Sequence, residues 1–390
     1  MHLEIDTLEA FDAWTRDHAT TPRDRLRRGA QSGVSVQSLD LTDRSAALRR
    51  VPVAGVIFLG CTLTEPDADS LLARGALVFP RLPDLPFDAY SVGMHTAPEL
   101  YAGLEHGYAA TPDARVYAWF QSPDACTLAG TLAQSLHDHG VSDSLDELLE
   151  DVEPRRCVGI MGGHAVERGS AAYRDAAVLG ASLAAAGRVV LTGGGPGAME
   201  AANLGARMTA PGTVVDEDRL AQALDLLSAV PRFAPVDKGG QGITAWARQA
   251  LDVLARWPMP GTSVGIPTWF YGHEPPNVFA SHIAKYFSNA IREDVLLQRC
   301  RGGVIFLPGA AGTVQEIFQF ATGNYYLPAA ASPAPMVLVD SMHWTERLPA
   351  WPLLQALGRD RAMGGHVHLV DSIRDAAGLL ANGHALEVQG

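Results

Sequence analysis

The sequence predicts an α/β protein: a doubly wound, Rossmann-like parallel sheet preceded by a smaller N-terminal α/β domain. Three observations predict it. From Arg155 onward, short apolar runs alternate with helical patterns, the signature of a parallel sheet covered on both faces. Two glycine-rich stretches fall where a strand passes into a helix, the place where such sheets bind ligands. The length of 390 residues fits two domains, or one large domain with an appendage.

The elements follow in order. The first forty residues read as a polar helix and a turn-rich lead-in. Val53–Gly60 is an apolar run bounded by turn residues and reads as a buried strand. Glu65–Arg74 reads as a helix, Ala76–Phe79 as a strand, and Pro80–Pro86 as a break. Helical patterns cover Ala97–Tyr108 and Ser122–Gly140, and the acidic stretch Asp143–Glu153 ends at Pro154 as a boundary helix or linker. The expected division is therefore an accessory domain over 1–152 and a ligand-binding domain over 153–390. In the second, strands are expected at Cys157–Met161, Arg188–Thr192, Ser263–Ile266, Gly303–Leu307, Met336–Val339 and His366–Leu369. Helices are expected at Ser170–Gly187, from Ala198, and at Ala221–Ser228, Ile243–Arg256, Val278–Gln298 and Thr313–Thr322.

Composition narrows the function. With 47% hydrophobic and 19% charged residues, the chain has material for a core, unlike a disordered sequence. A net charge of -13 argues against binding a nucleic-acid polymer, which needs a basic face, but allows a local pocket for one phosphate. Cys61, Cys126, Cys157 and Cys300 are scattered without a Cys-x-x-Cys pair. They point away from a zinc site or disulfide framework and toward a reducing cytoplasm. There is no run of 18 apolar residues, and the N-terminus does not read as a signal peptide. No membrane association is expected. Only Lys238 and Lys285 are lysines, so chemistry that needs a lysine Schiff base has two candidates.

Three strand-to-helix turns carry the candidate site. The first is Gly162-Gly163-His164; by itself it is as readily a tight turn as a ligand loop. The second is Gly193-Gly194-Gly195-Pro196-Gly197, followed by a helix with Glu200 in its first turn. Successive glycines let backbone N–H groups approach a ligand, and the helix adds free N–H groups and a positive dipole end, so the pair makes an anion site. Glu200 either touches the ligand or complements the helix dipole. The third is Pro308-Gly309-Ala310-Ala311-Gly312-Thr313-Val314-Gln315-Glu316, which repeats the plan. Thr313-x-x-Glu316 also has the spacing of a capping box, and on spacing alone the cap accounts for Glu316. Upstream, Trp269–Asn277 is rich in aromatic and polar groups and could receive a base, with His273 and Asn277 as candidates. Arg292, on the expected helix, could grip a phosphate through its planar fork or belong to a solvated charged face. No metal-ligand spacing accompanies His273, and neither metal nor cofactor is expected.

In this order, the Gly162-Gly163 turn, the Gly193–Glu200 loop and the Pro308–Glu316 loop resemble the LONELY GUY (LOG) family of cytokinin-activating phosphoribohydrolases, often labelled "possible lysine decarboxylase". The resemblance covers about Arg155–Asp340. Together with the N-terminal extension, Gly272-His273-Glu274-Pro275-Pro276-Asn277 makes the chain look like the long bacterial nucleotide 5′-monophosphate nucleosidases of the same superfamily. The resemblance implies hydrolysis of a nucleoside 5′-monophosphate (an AMP-type or cytokinin nucleotide) to free base and ribose 5-phosphate. It implies Glu316 and Arg292 as catalytic residues, and Gly162, Gly163, Gly193, Gly194, Gly195, Gly197, Glu200, Gly309, Gly312 and Thr313 around the phosphate and ribose. It also implies a homodimer or larger homo-oligomer. The family usually has Pro-Gly-Gly where this chain has Pro308-Gly309-Ala310; Ala310 fits only with a negative φ. The decarboxylase label finds no cofactor motif around Lys238 or Lys285. The alternative is a non-catalytic carrier or sensor of a phosphorylated nucleotide or cofactor, since molybdenum cofactor carriers resemble this fold.

Overall fold

The computed structural model describes residues 3–18, 33–90, 93–233, 241–271, 274–328 and 330–381. The chain forms two compact units: residues 1–93 with 125–140, and residues 94–124 with 141–390. The expected boundary at 152/153 falls inside the second unit.

The first unit is built on a four-stranded parallel sheet in the order β1 (Leu3–Ile5), β2 (Val34–Gln37), β3 (Ile57–Leu59), β4 (Leu77–Phe79). Helix Leu8–Asp17 is capped by Thr7 and helix Glu65–Ala73 by Thr64; each cap hydroxyl accepts a backbone N–H of the first turn. Phe11, Trp14, Val36, Phe58 and Leu71 form the core. The polar helix expected in the first forty residues is present as Leu8–Asp17, but the strands β1 and β2 on either side of it correct the expected lead-in. β2 is buried along its whole length although Ser35 and Gln37 are polar. Gln37 donates to Ser35 Oγ (3.3 Å) and to Glu4 on β1, so the polar positions are satisfied inside the sheet.

The second unit holds a seven-stranded, all-parallel sheet. β5 (Cys157–Met161) starts it. β6 (Val189–Thr192), β7 (Ser263–Gly265) and β8 (His282–Ile283) add to one side, and β9 (Val304–Phe306), β10 (Met336–Val339) and β11 (Val367–Val370) to the other, giving the order β11-β10-β9-β5-β6-β7-β8. This is the doubly wound sheet the sequence predicts. Strands β5, β6, β9 and β10 are buried at every residue, which explains why they read as continuous apolar runs. The chain reverses its winding between β5 and β9, and the crevice above that point is the expected ligand site.

The expected helix over Val278–Gln298 is corrected. Asn277 closes a turn by accepting the N–H groups of Phe279 and Ala280 (3.1 and 3.2 Å). His282 and Ile283 then pair with β7. The helix begins only at Asn289, capped by Ser288, and ends at Arg299. The run Val278-Phe279-Ala280 through Ile283-Ala284 to Tyr286-Phe287 imitates helical spacing but is buried on every side. Lys285 therefore lies between β8 and the helix. Its Nζ, 1% exposed, donates to Asp113 Oδ1 at 2.5 Å. Trp269 Nε1 and Tyr108 OH complete the carboxylate's shell at 2.9 and 2.7 Å. Burial pushes the Lys285 pKa down, and Asp113 opposes that shift. Lys238 lies outside the described residues. Among the described residues, no helix is long and apolar enough to cross a membrane.

Candidate active site

Three loops meet at the carboxyl ends of β5, β6 and β9. After β5, Gly162 has φ +87°, and a Cβ there would lie 2.5 Å from the Leu307 carbonyl oxygen that follows β9. The two loops touch through that missing side chain. Gly163 packs against Ala198, the first residue of helix Ala198–Met208.

After β6, the chain runs through Gly193–Gly197 into the same helix. Thr192 Oγ1 accepts the Gly194 N–H at 3.0 Å and donates to Asn203 Oδ1 at 2.8 Å. Asn277, fully buried, braces the loop from behind. Its backbone N–H donates to the Gly194 carbonyl (2.8 Å), and its amide nitrogen to the Gly195 carbonyl and to Asn203 Oδ1 (3.0 Å each). With its oxygen already held by Phe279 and Ala280, the Asn277 side chain is fully committed. His273, the other base-pocket candidate, lies outside the described residues.

After β9, Leu307-Pro308-Gly309 leads into helix Ala311–Tyr325, whose N-cap is Ala310 with no side-chain cap. Ala310 has φ -119°, so the methyl group fits without strain. The first helical N–H groups, on Ala311, Gly312 and Thr313, are the donors a helix leaves open at its start. The capping-box spacing is not used as a cap. Thr313 is inside the helix, its side chain filling the space a Cβ on Gly309 would need.

Glu316 instead faces Arg292. Arg292 Nη1 donates to Glu316 Oε1 at 3.3 Å, and each side chain is 11% exposed. Ser288 starts the helix that presents Arg292, and the apolar faces of both helices enter the core through Leu296, Ile317 and Phe320. Burial raises the Glu316 pKa to about 7; Arg292 pulls it down, while Glu293 and Glu274 add to the rise. Arg292 Nε is buried without a hydrogen-bond partner among the described residues. Its Nη2 lies 3.4 Å from where a Gly193 Cβ would be, and Glu274 Oε2 lies 3.6 Å from the same point on Gly195. The β6 loop thus carries a cation and a carboxylate against its glycines. Gln315 and Asn289 hold Glu293 in place.

Glu200 is placed differently. It is completely buried; Arg168 Nε donates to one carboxylate oxygen (3.0 Å), Arg168 Nη2 to the other, and Tyr173 OH to the first (2.8 Å). This pair floors a cavity of about 400 Å³ lined by His164, Gly197, Phe233 and Trp246. The structure therefore brings Glu316, Arg292 and Gly193 together and sets Glu274 against Gly195, while Glu200 belongs to a separate ion pair. Sequence reasoning missed Arg168, Tyr173, Asn203 and Glu274. Arg168 had one signal, its place in the loop after β5. No group of three metal-ligating side chains occurs among the described residues.

Fold and site define a doubly wound α/β protein with glycine loops and an Arg–Glu pair at its switch point. Residues 155–215 match the family described as the SLOG cluster4 family, in line with the resemblance of the ordered glycine-loop motifs to the LOG superfamily. No curated protein matches the chain in sequence. Among solved structures, the chain is similar to the molybdenum cofactor binding protein from the phototrophic bacterium Rippkaea orientalis, at 17% identity and a TM-score of 0.34, over 58% of this chain and 95% of that one. It is also similar to the structural-genomics target TM1055, at 18% identity and a TM-score of 0.31, over 58% of this chain and 98% of that one.

Proposed function

We propose that the protein hydrolyses the N-glycosidic bond of nucleoside 5′-monophosphates, giving free base and ribose 5-phosphate. One observation carries the reading: a buried glutamate with a pKa of about 7, paired at 3.3 Å with a buried arginine beside two glycine loops. A carboxyl group that titrates near neutrality suits a general base working at neutral pH. In this reading the unit of residues 94–124 and 141–390 carries the chemistry of a cytoplasmic homo-oligomer, and the other unit is accessory.

The residues divide the work. The phosphate sits on the open N–H groups at the start of helix Ala311–Tyr325 and on the Gly193–Gly197 loop. Arg292, tethered to Glu316 through Nη1, offers the rest of its fork to the phosphate. As the C1′–N bond breaks, its electron pair leaves on the base and positive charge grows on the ribosyl carbon. The Glu316 carboxylate stabilises that charge and takes a proton from the water whose oxygen forms the new C1′–O bond. The departing base leaves neutral by taking up a proton from solvent, and Glu316 returns the water's proton to solvent, so that one water is consumed and no net proton is released. Asn277 acts through the loop it braces, and the Arg168–Glu200 pair holds the floor beside it.

The test is release of free base from AMP, CMP, GMP and UMP, with adenosine as the control lacking phosphate. Base release from at least one monophosphate supports the reading. Tight binding of a monophosphate with no base release would favour a carrier or sensor instead.

A further inference from the structure

The geometry points to His343 as a positioning residue for phosphate recognition by the loop after β9, an inference that rests on the proposed function. His343 comes from the far side of β10, in a segment that no motif marks. Its Nε2 lies 3.0 Å from the Gly309 carbonyl oxygen. A carbonyl can only accept, so Nε2 carries the hydrogen.

The chain goes to some length to place this ring. At the end of β10, Asp340 adopts φ +79°, a left-handed conformation that costs energy for a residue with a Cβ. Asp340 is held there by its N–H on the Val370 carbonyl (2.9 Å), and its Oδ1 accepts the His343 N–H (2.9 Å). His343–Arg347 then form a π-helix, a form that recurs at functional positions. Trp344 is fully buried and anchors this turn in the core, its ring edge-on to the His343 imidazole at 4.5 Å. A left-handed aspartate, a π-helix and a buried tryptophan thus converge on one hydrogen bond.

That bond has a definite consequence. In a trans peptide the C=O and N–H point in opposite directions. Fixing the Gly309 carbonyl on His343 turns the Ala310 N–H away from His343 and fixes the peptide that leads into the open N–H groups at the start of helix Ala311–Tyr325. The donated proton also polarises the peptide and strengthens its N–H as a donor. Gly309 cannot be held by a side chain of its own, because a Cβ there would lie 2.1 Å from Thr313 Oγ1. The orienting group has to come from elsewhere, and His343 supplies it.

The experiment compares wild type with His343→Phe, which keeps a flat ring beside Trp344 but removes the donor, and His343→Gln, which restores one. Binding of ribose 5-phosphate and inorganic phosphate is measured by calorimetry, with KM and kcat for AMP and a melting curve for each protein. His343→Phe should weaken ribose 5-phosphate binding and raise the AMP KM about tenfold, the scale of one lost hydrogen bond to an anion site, with kcat changed far less. His343→Gln should recover most of the loss, and both variants should melt with wild type. Unchanged affinity in folded His343→Phe would overturn the assignment, as would a loss that follows the melting temperature and is not rescued by Gln. If wild type binds ribose 5-phosphate but releases no base, the hydrolase reading falls, and the affinity comparison still decides His343. If wild type binds neither phosphate, both fall.

Discussion

Glu316 makes the stability of the free protein depend on pH in a direction opposite to that of an ordinary paired carboxylate. Its pKa rises from 4.5 to about 7 because burial disfavours the charge. Below pH 4.5 the group is protonated in both folded and unfolded chains. Between 4.5 and 7 the unfolded chain releases the proton and the folded chain keeps it, so stability falls as pH rises; above 7 the deficit is constant. From pH 5 to pH 8 this one group costs about 2–3 kcal/mol. Glu316→Gln has no proton to release. Exchanging a protonated carboxyl group for an amide adds an offset, but that offset does not depend on pH and cancels between the two values; the charged contact with Arg292 is already contained in the pKa of about 7. Urea unfolding of both proteins at pH 5 and pH 8 measures the difference. Wild type should lose about 2–3 kcal/mol relative to Glu316→Gln across that range. A stability difference that is the same at both pH values would refute the raised pKa and the reasoning built on it.

Other expectations follow from the same contacts. Base release from AMP should rise with pH through about 7, as Glu316 ionises; a flat profile from pH 5.5 to 8.5 counts against a carboxylate mechanism. Adenosine should be hydrolysed far more slowly than AMP, and equal turnover would contradict the phosphate loops. Lys285→Met leaves Asp113 buried without its cation and should cost roughly 3–5 kcal/mol by denaturation, much of it recovered when Asp113→Asn is added. A chain starting at Asp151 lacks Asp113 and should melt below one starting at Met94; equal melting temperatures would show that the buried pair contributes little.

The sheet of the second unit was legible because its strands are buried on both faces. Cys157–Met161 and Met336–Val339 were read with their observed bounds, and β6 and β9 to within a residue at each end. Where a strand carries polar residues that are satisfied inside the fold, as Ser35 and Gln37 are in β2, the apolar signal disappears. The Val278–Phe287 segment failed for the opposite reason: nearly everything in it is buried, and small and aromatic residues at three- and four-residue spacing look helical. Glu316 showed the same limit at the site. Its spacing from Thr313 suggested a cap, but its partner is Arg292, 24 residues away in sequence. The Arg168–Glu200 and Asp113–Lys285 pairs span 32 and 172 residues, and no local pattern reveals them. Asn277 was noticed for its polar, aromatic surroundings, whereas its side chain serves the loop behind it.

The central claim is that the Glu316 charge serves the transition state and not ground-state binding. The direct measurement is hydrolysis of AMP by Glu316→Gln, paired with AMP affinity in the same preparation. Gln keeps the size and the hydrogen-bonding oxygen facing Arg292 but not the charge. The account predicts turnover lowered roughly 100-fold or more, the scale of losing one preorganised electrostatic partner, with AMP still bound through the glycine loops and Arg292. Near-normal turnover in a well-folded Glu316→Gln protein would contradict it.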